Sequence, residues 1–168
     1  TATMQGLSDF YEVIIPREVL PELILSVETE EIGIEAGLQD RVCQVYGGLI
    51  YMDFNQESTR LLGHGVYEPL SLDLLPPLYL AFRSNLSQIS GVYHTDLRAR
   101  WKAGDRAIRQ AMRELADLAE EGRKCLLNRD FSGMASLMDR NFDIRSSLST
   151  LNPQNVQMIE LARSHGVC

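Results

Sequence analysis

The sequence predicts an α+β fold, with short antiparallel strands followed by a run of at least three helices. Nearly continuous apolar residues at positions 49 to 54 are typical of a buried strand. Beyond Gly91, apolar residues instead recur at the spacing of amphipathic helices. With 168 residues and 45% hydrophobic content, the chain can bury one substantial core or two smaller ones.

The N-terminal part opens in a helical pattern. It has no initiator methionine, so we expect further sequence upstream. Pro21 suits the first turn of a second helix, which Gly33 is expected to end. A glycine turn then precedes a short helix that runs to Tyr46. Three strands are predicted next, at 49–54, 66–72 and 78–82.

Pro76 and Pro77 mark the predicted domain boundary, which divides the chain into 1–73 and 74–168. A long helix is predicted at 105–127, a second at about 130–149, and a third that starts with Asn152 as N-cap and Pro153 in its first turn. The inward faces predicted for the first two helices consist of Ile108, Met112, Leu115, Ala119, Gly122 and Leu126, and of Phe131, Met134, Met138 and Phe142.

Composition excludes several classes of function. A net charge of −7 and scattered basic residues argue against binding to nucleic acid or to an anionic membrane. No apolar run approaches the roughly 20 residues that cross a bilayer, so we expect a cytoplasmic protein. Cys43, Cys125 and Cys168 are widely spaced and lack a nearby His/Cys cluster, which predicts free thiols rather than disulfides or a zinc site.

Asp40 is the strongest catalytic candidate by position. It follows the turn at Gly37 and precedes the glycine pair Gly47 and Gly48, an arrangement expected to direct its side chain into a cleft. A carboxylate in such a place can orient a hydroxyl group and accept its proton. By position alone, an N-capping role for Asp40 on the short helix is equally compatible with the sequence.

Residues 28 to 42 read Glu-Thr-Glu-Glu-Ile-Gly-Ile-Glu-Ala-Gly-Leu-Gln-Asp-Arg-Val, followed by Gly47-Gly48-Leu49 and Met52-Asp53-Phe54. This segment resembles the catalytic-aspartate segment of the GHMP kinases, and most of all the sugar-1-kinases of the glucuronokinase type. The resemblance implies an incomplete GHMP kinase-like two-domain fold. Residues 1–73 would be the C-terminal part of the first domain, and 74–168 most of the second. The family's Gly- and Ser-rich phosphate loop is expected upstream of the chain.

The resemblance also implies a function, the ATP-dependent phosphorylation of a sugar at its anomeric hydroxyl. The expected substrate is D-glucuronate, and the product, glucuronate 1-phosphate, would feed UDP-glucuronate synthesis. In that scheme Asp40 accepts the hydroxyl proton and Glu28 binds Mg²⁺, while Glu30 and Glu31 fit a solvated face better. The implied substrate-binding residues are Gln39, Arg41, Arg98 and Arg100, and the implied ATP-binding residues are Gly37, Gly47 and Gly48.

Other interpretations stay open at this stage. Taken alone, Arg98 and Arg100 fit a solvated surface, and Trp101 fits a core. Other sugars handled by GHMP kinases are possible substrates. Two alternatives from other classes are a truncated, non-catalytic form that self-associates and a helical interaction module that docks through the apolar stripe of 105–127.

Overall fold

The structure is a computed structural model that describes residues 1–34, 36–82 and 90–167. The chain divides into two compact units, Thr1–Asp73 and Leu74–Cys168. The assignment of these units to the two domains of a kinase stays a prediction.

The first unit combines short helices with one β-hairpin. The second helix, α2 (Leu20–Ser26), continues directly into a single π-helical turn, Val27–Glu31, and a 3₁₀ turn, Leu72–Leu74, follows the second strand. The other elements in chain order are α1 (Ala2–Phe10), α3 (Leu38–Tyr46), β1 (Leu49–Asp53), α4 (Gln56–Leu62) and β2 (Val66–Leu70).

Helices α2 and α3 pack against each other and form the buried part of this unit. Ile24 of α2 is 3% exposed and Val42 of α3 is fully buried. Pro21 lies in the first turn of α2 as predicted, where its missing N–H has no partner to lose. Helix α3 ends at Gly47, whose φ of +62° is a backbone conformation that favours glycine. The packing of α2 on α3 places the first turn of α3 beside the π-helical turn.

Strands β1 and β2 pair antiparallel, from Leu49 opposite Leu70 to Asp53 opposite Val66. The predicted strands at 49–54 and 66–72 are thus confirmed, although β1 is half-buried rather than buried. Sequence reasoning missed α4, which lies between them. Asn55 caps this helix by accepting hydrogen bonds from the backbone N–H groups of Glu57 and Ser58.

The predicted strand at 78–82 is wrong. These residues form no regular secondary structure, and the side chains of Leu78, Tyr79, Leu80 and Phe82 are exposed. Pro76 and Pro77, just before the segment, have no N–H to donate to a neighbouring strand. In the described ranges the only sheet is the β1–β2 pair, and residues 78–82 are not part of it.

The described part of the second unit is helical and confirms the predicted run of helices. Its elements are α5 (Ser90–Lys102), α6 (Arg106–Leu127), α7 (Phe131–Leu148) and α8 (Pro153–Ser164). Helices α6 and α7 pack along their length. The core of the unit consists of Leu97, Ile108, Ala111 and Leu148, with Met112 and Ile144 packed against it.

The inward faces of α6 and α7 differ in part from those predicted. Ala119 is exposed and Leu118 is buried in its place. Phe131 and Met138, which we predicted to be inward, are 38% and 46% exposed. Met134, which was also predicted to be inward, does meet α6: its sulfur would lie 3.5 Å from a Cβ added at Gly122. Gly122 therefore leaves room for the Met134 side chain against α6.

The architecture is therefore a mixture of helices and one antiparallel strand pair, which confirms the α+β class at that level. The GHMP kinase-like arrangement stays a prediction. Among the residues described, no helix is both long enough and apolar enough to span a bilayer.

Candidate active site

Asp40 lies in the first turn of α3, and its side chain is 78% exposed. The N-cap of this helix is Gly37, so the alternative in which Asp40 is the N-cap is wrong. An acid in the first turn is favourable because the N-terminal end of a helix carries partial positive charge. Within its unit, Asp40 is an open surface group rather than the floor of the expected cleft.

Arg41 connects Asp40 to Glu28. Its Nε donates a hydrogen bond of 2.7 Å to Glu28 Oε2, and its Nη2 forms an ion pair with the same oxygen. On its other side, Nη1 donates to the carbonyl of Gly37 at 3.2 Å and approaches Asp40 Oδ2 at 3.5 Å. The Arg41 side chain is only 14% exposed and that of Glu28 only 24%. The guanidinium of Arg41 thus lies between the carboxylates of Glu28 and Asp40, and Asp40 is the one exposed to solvent.

The local backbone explains how Glu28 and Arg41 meet across a separation of thirteen residues. The carbonyl of Glu28, in the π-helical turn, accepts a hydrogen bond from the N–H of Ile34 at 2.8 Å, which closes a tight loop after α2. Gly33 has a φ of +73° within that loop. Sequence reasoning considered each charged residue separately and missed this contact, because nothing local in the sequence specifies how the loop closes.

Mg²⁺ prefers near-octahedral oxygen coordination, with one or two protein carboxylates and several waters. The groups around Glu28 do not fit such a magnesium site. Oε2 is already bound by Arg41, and a second cation on this carboxylate would lie close to the guanidinium and be repelled by it. Over the described ranges, no group of three or more His, Cys, Asp or Glu side chains is placed to hold a metal ion. The assignment of Glu28 to Mg²⁺ remains a prediction.

Gln39 and the three glycines of the prediction lie on exposed backbone at the two ends of α3. Gly37 is extended, whereas Gly47 and Gly48 have φ values of +62° and +70°. Beyond the adjoining residues of the chain, a Cβ added at any of these glycines would have no heavy atom within 4 Å. Their backbone is open to a ligand, but only the positive φ values require glycine.

Arg98 and Arg100 belong to α5, in the second unit. Arg98 is exposed. The Arg100 guanidinium is used within the unit, since Nε donates to Asp105 Oδ2 at 3.0 Å and Nη1 donates to the carbonyl of Leu148 at 2.9 Å. Trp101 is 43% exposed and therefore no core residue. The guanidinium of Arg109 lies 5.8 Å from the centre of its ring.

A second polar cluster, which sequence reasoning missed, joins α2 to the start of β2. The hydroxyl of Tyr67 donates to Glu22 Oε1 at 2.7 Å, and the N–H of Gly65 donates to the same oxygen at 3.1 Å. Burial, followed by the hydrogen bond to Glu22, raises the pKa of Tyr67 well above its usual value. Burial also raises the pKa of Tyr46, whose ring lies 5.5 Å from that of Tyr67. The cluster holds elements together and has no predicted catalytic residue.

The chain is 48% identical over 171 residues to Glucuronokinase 1 of Arabidopsis thaliana. It is also 48% identical over 172 residues to Probable glucuronokinase 2 of Arabidopsis thaliana, and each match covers 99% of the chain. Nearly the whole chain is therefore similar in sequence to these two glucuronokinases. It spans about half the length of these curated relatives, 47% and 46% respectively.

The similarity to glucuronokinases confirms the resemblance that the sequence predicted around Asp40, and extends it to nearly every residue of the chain. No protein-family model matches the chain. No solved structure matches it either. The relationship therefore rests on sequence identity to two glucuronokinases, and the role of each site residue remains open to proposal.

Proposed function

We propose that this chain carries the catalytic carboxylate of an ATP-dependent sugar kinase that acts on the anomeric hydroxyl of D-glucuronate and forms glucuronate 1-phosphate. The observation that carries the proposal is the 48% identity to Glucuronokinase 1 across 99% of the chain. That name denotes a kinase of glucuronate. The family resemblance assigns this carboxylate to Asp40, the exposed acid in the first turn of α3.

In the proposed reaction the anomeric oxygen attacks the γ-phosphorus of ATP. A new O–P bond forms, the bond from the γ-phosphorus to the β–γ bridging oxygen breaks, and ADP leaves with that electron pair. Asp40 accepts the proton of the attacking hydroxyl, for which its carboxylate must come within hydrogen-bond distance of the sugar. Mg²⁺, when it arrives with ATP, supplies positive charge to the phosphates.

We assign the remaining contacts by their place around α3 and on α5. Gln39 is next to Asp40 and exposed, which suits it to a sugar hydroxyl. Gly37, Gly47 and Gly48 present open backbone that ATP can approach closely. Arg98, which is exposed on its helix, has the charge to attract the carboxylate of a uronic acid. Arg100 has the same charge, and its guanidinium also contacts Asp105 and the carbonyl of Leu148.

The test is a coupled assay of ADP release. It is run on the chain and on Glucuronokinase 1 in which this chain replaces the matching segment. We expect Asp40→Asn to lower kcat by roughly 100-fold or more, since the amide cannot accept the proton. Glu57→Gln is the matched control, because Glu57 is also an exposed acid in the first turn of a helix. Full activity of Asp40→Asn would show that Asp40 is not the base.

The same assay compares four acceptors: glucuronate, galacturonate, galactose and mevalonate. We expect the highest kcat/KM with glucuronate, because discrimination reflects differential binding in the transition state. A higher value with galacturonate or galactose would reassign the protein to another sugar kinase of the same kind. Activity with none of the four would contradict the kinase proposal.

One observation favours a second candidate, a non-catalytic protein that self-associates. Leu78, Tyr79, Leu80 and Phe82 expose large apolar side chains in one short segment of the second unit. Such a segment is a candidate contact surface between copies of the chain. This candidate predicts association without binding of ATP.

A further inference from the structure

Arg41 has a guanidinium whose two sides are used differently. The side formed by Nε and Nη2 is occupied by one oxygen of Glu28. The remaining nitrogen, Nη1, faces the carbonyl of Gly37 and the carboxylate of Asp40. A sugar carboxylate gripped by two parallel hydrogen bonds needs two adjacent donors. Glu28 already takes the Nε–Nη2 pair, and the end-on pair would need Nη1, which donates to Gly37 and lies beside Asp40. Arg41 is therefore poorly placed to grip the substrate.

We propose that Glu28 and Arg41 are positioning residues for Asp40, rather than a magnesium ligand and a sugar-binding residue. Glu28 fixes the guanidinium, and Nη1 of Arg41 then fixes the first turn of α3 through Gly37 and Asp40. This inference rests on the proposed function, because the group that is positioned is the proposed base. It replaces the expectation that Glu28 binds Mg²⁺.

The exposure of the three side chains supports this division of roles. Arg41 is 14% exposed and Glu28 is 24% exposed, so their ion pair is partly shielded from water. Charge-assisted hydrogen bonds are stronger in such surroundings and hold one geometry. Asp40, at 78% exposure, stays accessible to a substrate. A shielded pair that holds an accessible acid is what a general base on a short helix needs, since small misplacements slow the reaction.

The kinetic test is a double-mutant cycle in the Glucuronokinase 1 chimera. We expect Glu28→Gln and Arg41→Gln each to lower kcat roughly 10- to 100-fold, with the KM values for ATP and glucuronate changed by no more than about twofold. The double variant should be no slower than the slower single variant, because both changes remove one interaction. Arg41→Lys, which keeps the charge, should recover part of kcat. Glu30→Gln and Glu31→Gln are controls, exposed acids of the same turn whose change should leave kcat unaltered.

The dependence of activity on Mg²⁺ concentration separates positioning from metal binding. If Glu28 only positions Arg41, Glu28→Gln lowers kcat but leaves the half-saturating Mg²⁺ concentration unchanged at fixed ATP. If Glu28 binds the ion, the variant needs more Mg²⁺ and Arg41→Gln does not. The second result, or independent losses that add in the double variant, would overturn the inference.

A readout on the chain itself does not depend on activity. In its NMR spectrum, the Arg41 Nε–H signal should be shifted and slow to exchange, and Glu28→Gln should abolish both properties. Mn²⁺, a paramagnetic stand-in for Mg²⁺, should broaden signals at Glu28 no more than at Glu57. Selective broadening at Glu28 would overturn the inference. If the Arg41 Nε–H signal is shifted and slow to exchange as expected but the chimera is inactive, the proposed function is contradicted and the inference is not. The two failures are therefore distinguishable.

Discussion

Glu22 and Glu28 lie on one continuous helical stretch and bind different partners. Glu22 accepts hydrogen bonds from Tyr67 and from the backbone of Gly65, at the start of the second strand. Glu28 accepts from Arg41 on α3. A single stretch of helix therefore ties together the hairpin and the helix that bears Asp40. The carboxylates of Glu22 and Glu28 therefore both serve as hydrogen-bond acceptors that connect elements of the first unit.

At Gly65 the space for a side chain is already filled. A Cβ there would lie 2.8 Å from Tyr67 Cε1 and 3.0 Å from Phe54 Cδ1. We expect Gly65→Ala to lower the free energy of unfolding by about 1 to 3 kcal/mol, because two packed rings must shift. Chemical denaturation monitored by tyrosine fluorescence measures the change.

Gly6→Ala is the matched control for Gly65. Gly6 lies inside α1, and beyond its own helix backbone a Cβ there would have no heavy atom within 4 Å. Alanine should therefore stabilise the chain by roughly 0.5 to 1 kcal/mol through its higher helix propensity. Equal effects of the two variants would show that the ring cluster is not closely packed.

The short helix that carries Asp40 was predictable from sequence, because Gly37 before it and Gly47 after it are local signals, although Gly37 is extended rather than in the predicted turn. The link from Asp40 to Glu28 was not predictable. That contact depends on the loop at Gly33 and on the packing of α2 against α3, neither of which a local pattern specifies. The same limit explains Arg100, whose partners Asp105 and Leu148 become neighbours only when helices pack.

Among the elements, helix starts were predicted best. Asn152 caps α8 by accepting from the N–H of Gln154, with Pro153 in the first turn, and these are purely local preferences. Helix α4 had comparable signals, Asn55 before it and a left-handed Gly63 after it, and we overlooked them. The predicted strand at 78–82 is wrong for a different reason: its local signal was present but was not sufficient. Its residues are apolar enough, but a strand also needs a partner, which is a property of the fold rather than of the segment.

The corner between α5 and α6 depends on Asp105, which has two roles. Its carboxylate caps α6 by accepting from the N–H groups of Ala107 and Ile108, and it pairs with Arg100. The hydrogen bond from Arg100, followed by that from the N–H of Ile108, lowers the pKa of Asp105. Because the folded pKa lies below the unfolded one, its contribution to stability is present above about pH 4 and is lost as the pH falls through the folded pKa.

Two substitutions separate the roles of Asp105. Asparagine keeps a capping oxygen but has no charge to pair with Arg100, whereas alanine loses both. We expect the melting temperature to fall more for Asp105→Ala than for Asp105→Asn at neutral pH. The wild type and Asp105→Asn should converge at low pH, where the carboxylate is protonated. Thermal scans from about pH 2 to about pH 7 test this. A constant difference between the two across that range would contradict the assigned pKa shift.

On the scale of the whole molecule, charge and apolar exposure oppose each other. The net charge of −7 makes copies of the chain repel. Leu78, Tyr79, Leu80 and Phe82 offer a contiguous apolar contact, with exposures from 63% to 95%. The repulsion is screened by salt, since the Debye length falls from about 10 Å at 0.1 M to about 3 Å at 1 M. The apolar contact is not weakened in this way, so salt decides which effect prevails.

We therefore expect the chain to associate more strongly in about 1 M than in about 0.1 M sodium chloride, because charge repulsion is screened at the higher concentration. Light scattering on a size-exclusion column measures the association. The double substitution Tyr79→Ser and Leu80→Ser should suppress the association. Leu161→Ser is the control, because Leu161 is also exposed, at 61%, but lies on a regular helix in the same unit.

The same samples decide between the two candidate functions when titrated with ATP in a calorimeter. Association that the double substitution abolishes, together with no heat of ATP binding, would favour the non-catalytic candidate. ATP binding that the double substitution leaves intact would support the kinase and make the apolar segment a separate contact surface. A chain that stays monomeric at both salt concentrations would show that exposed apolar area at 78–82 is too small to outweigh the entropy of association.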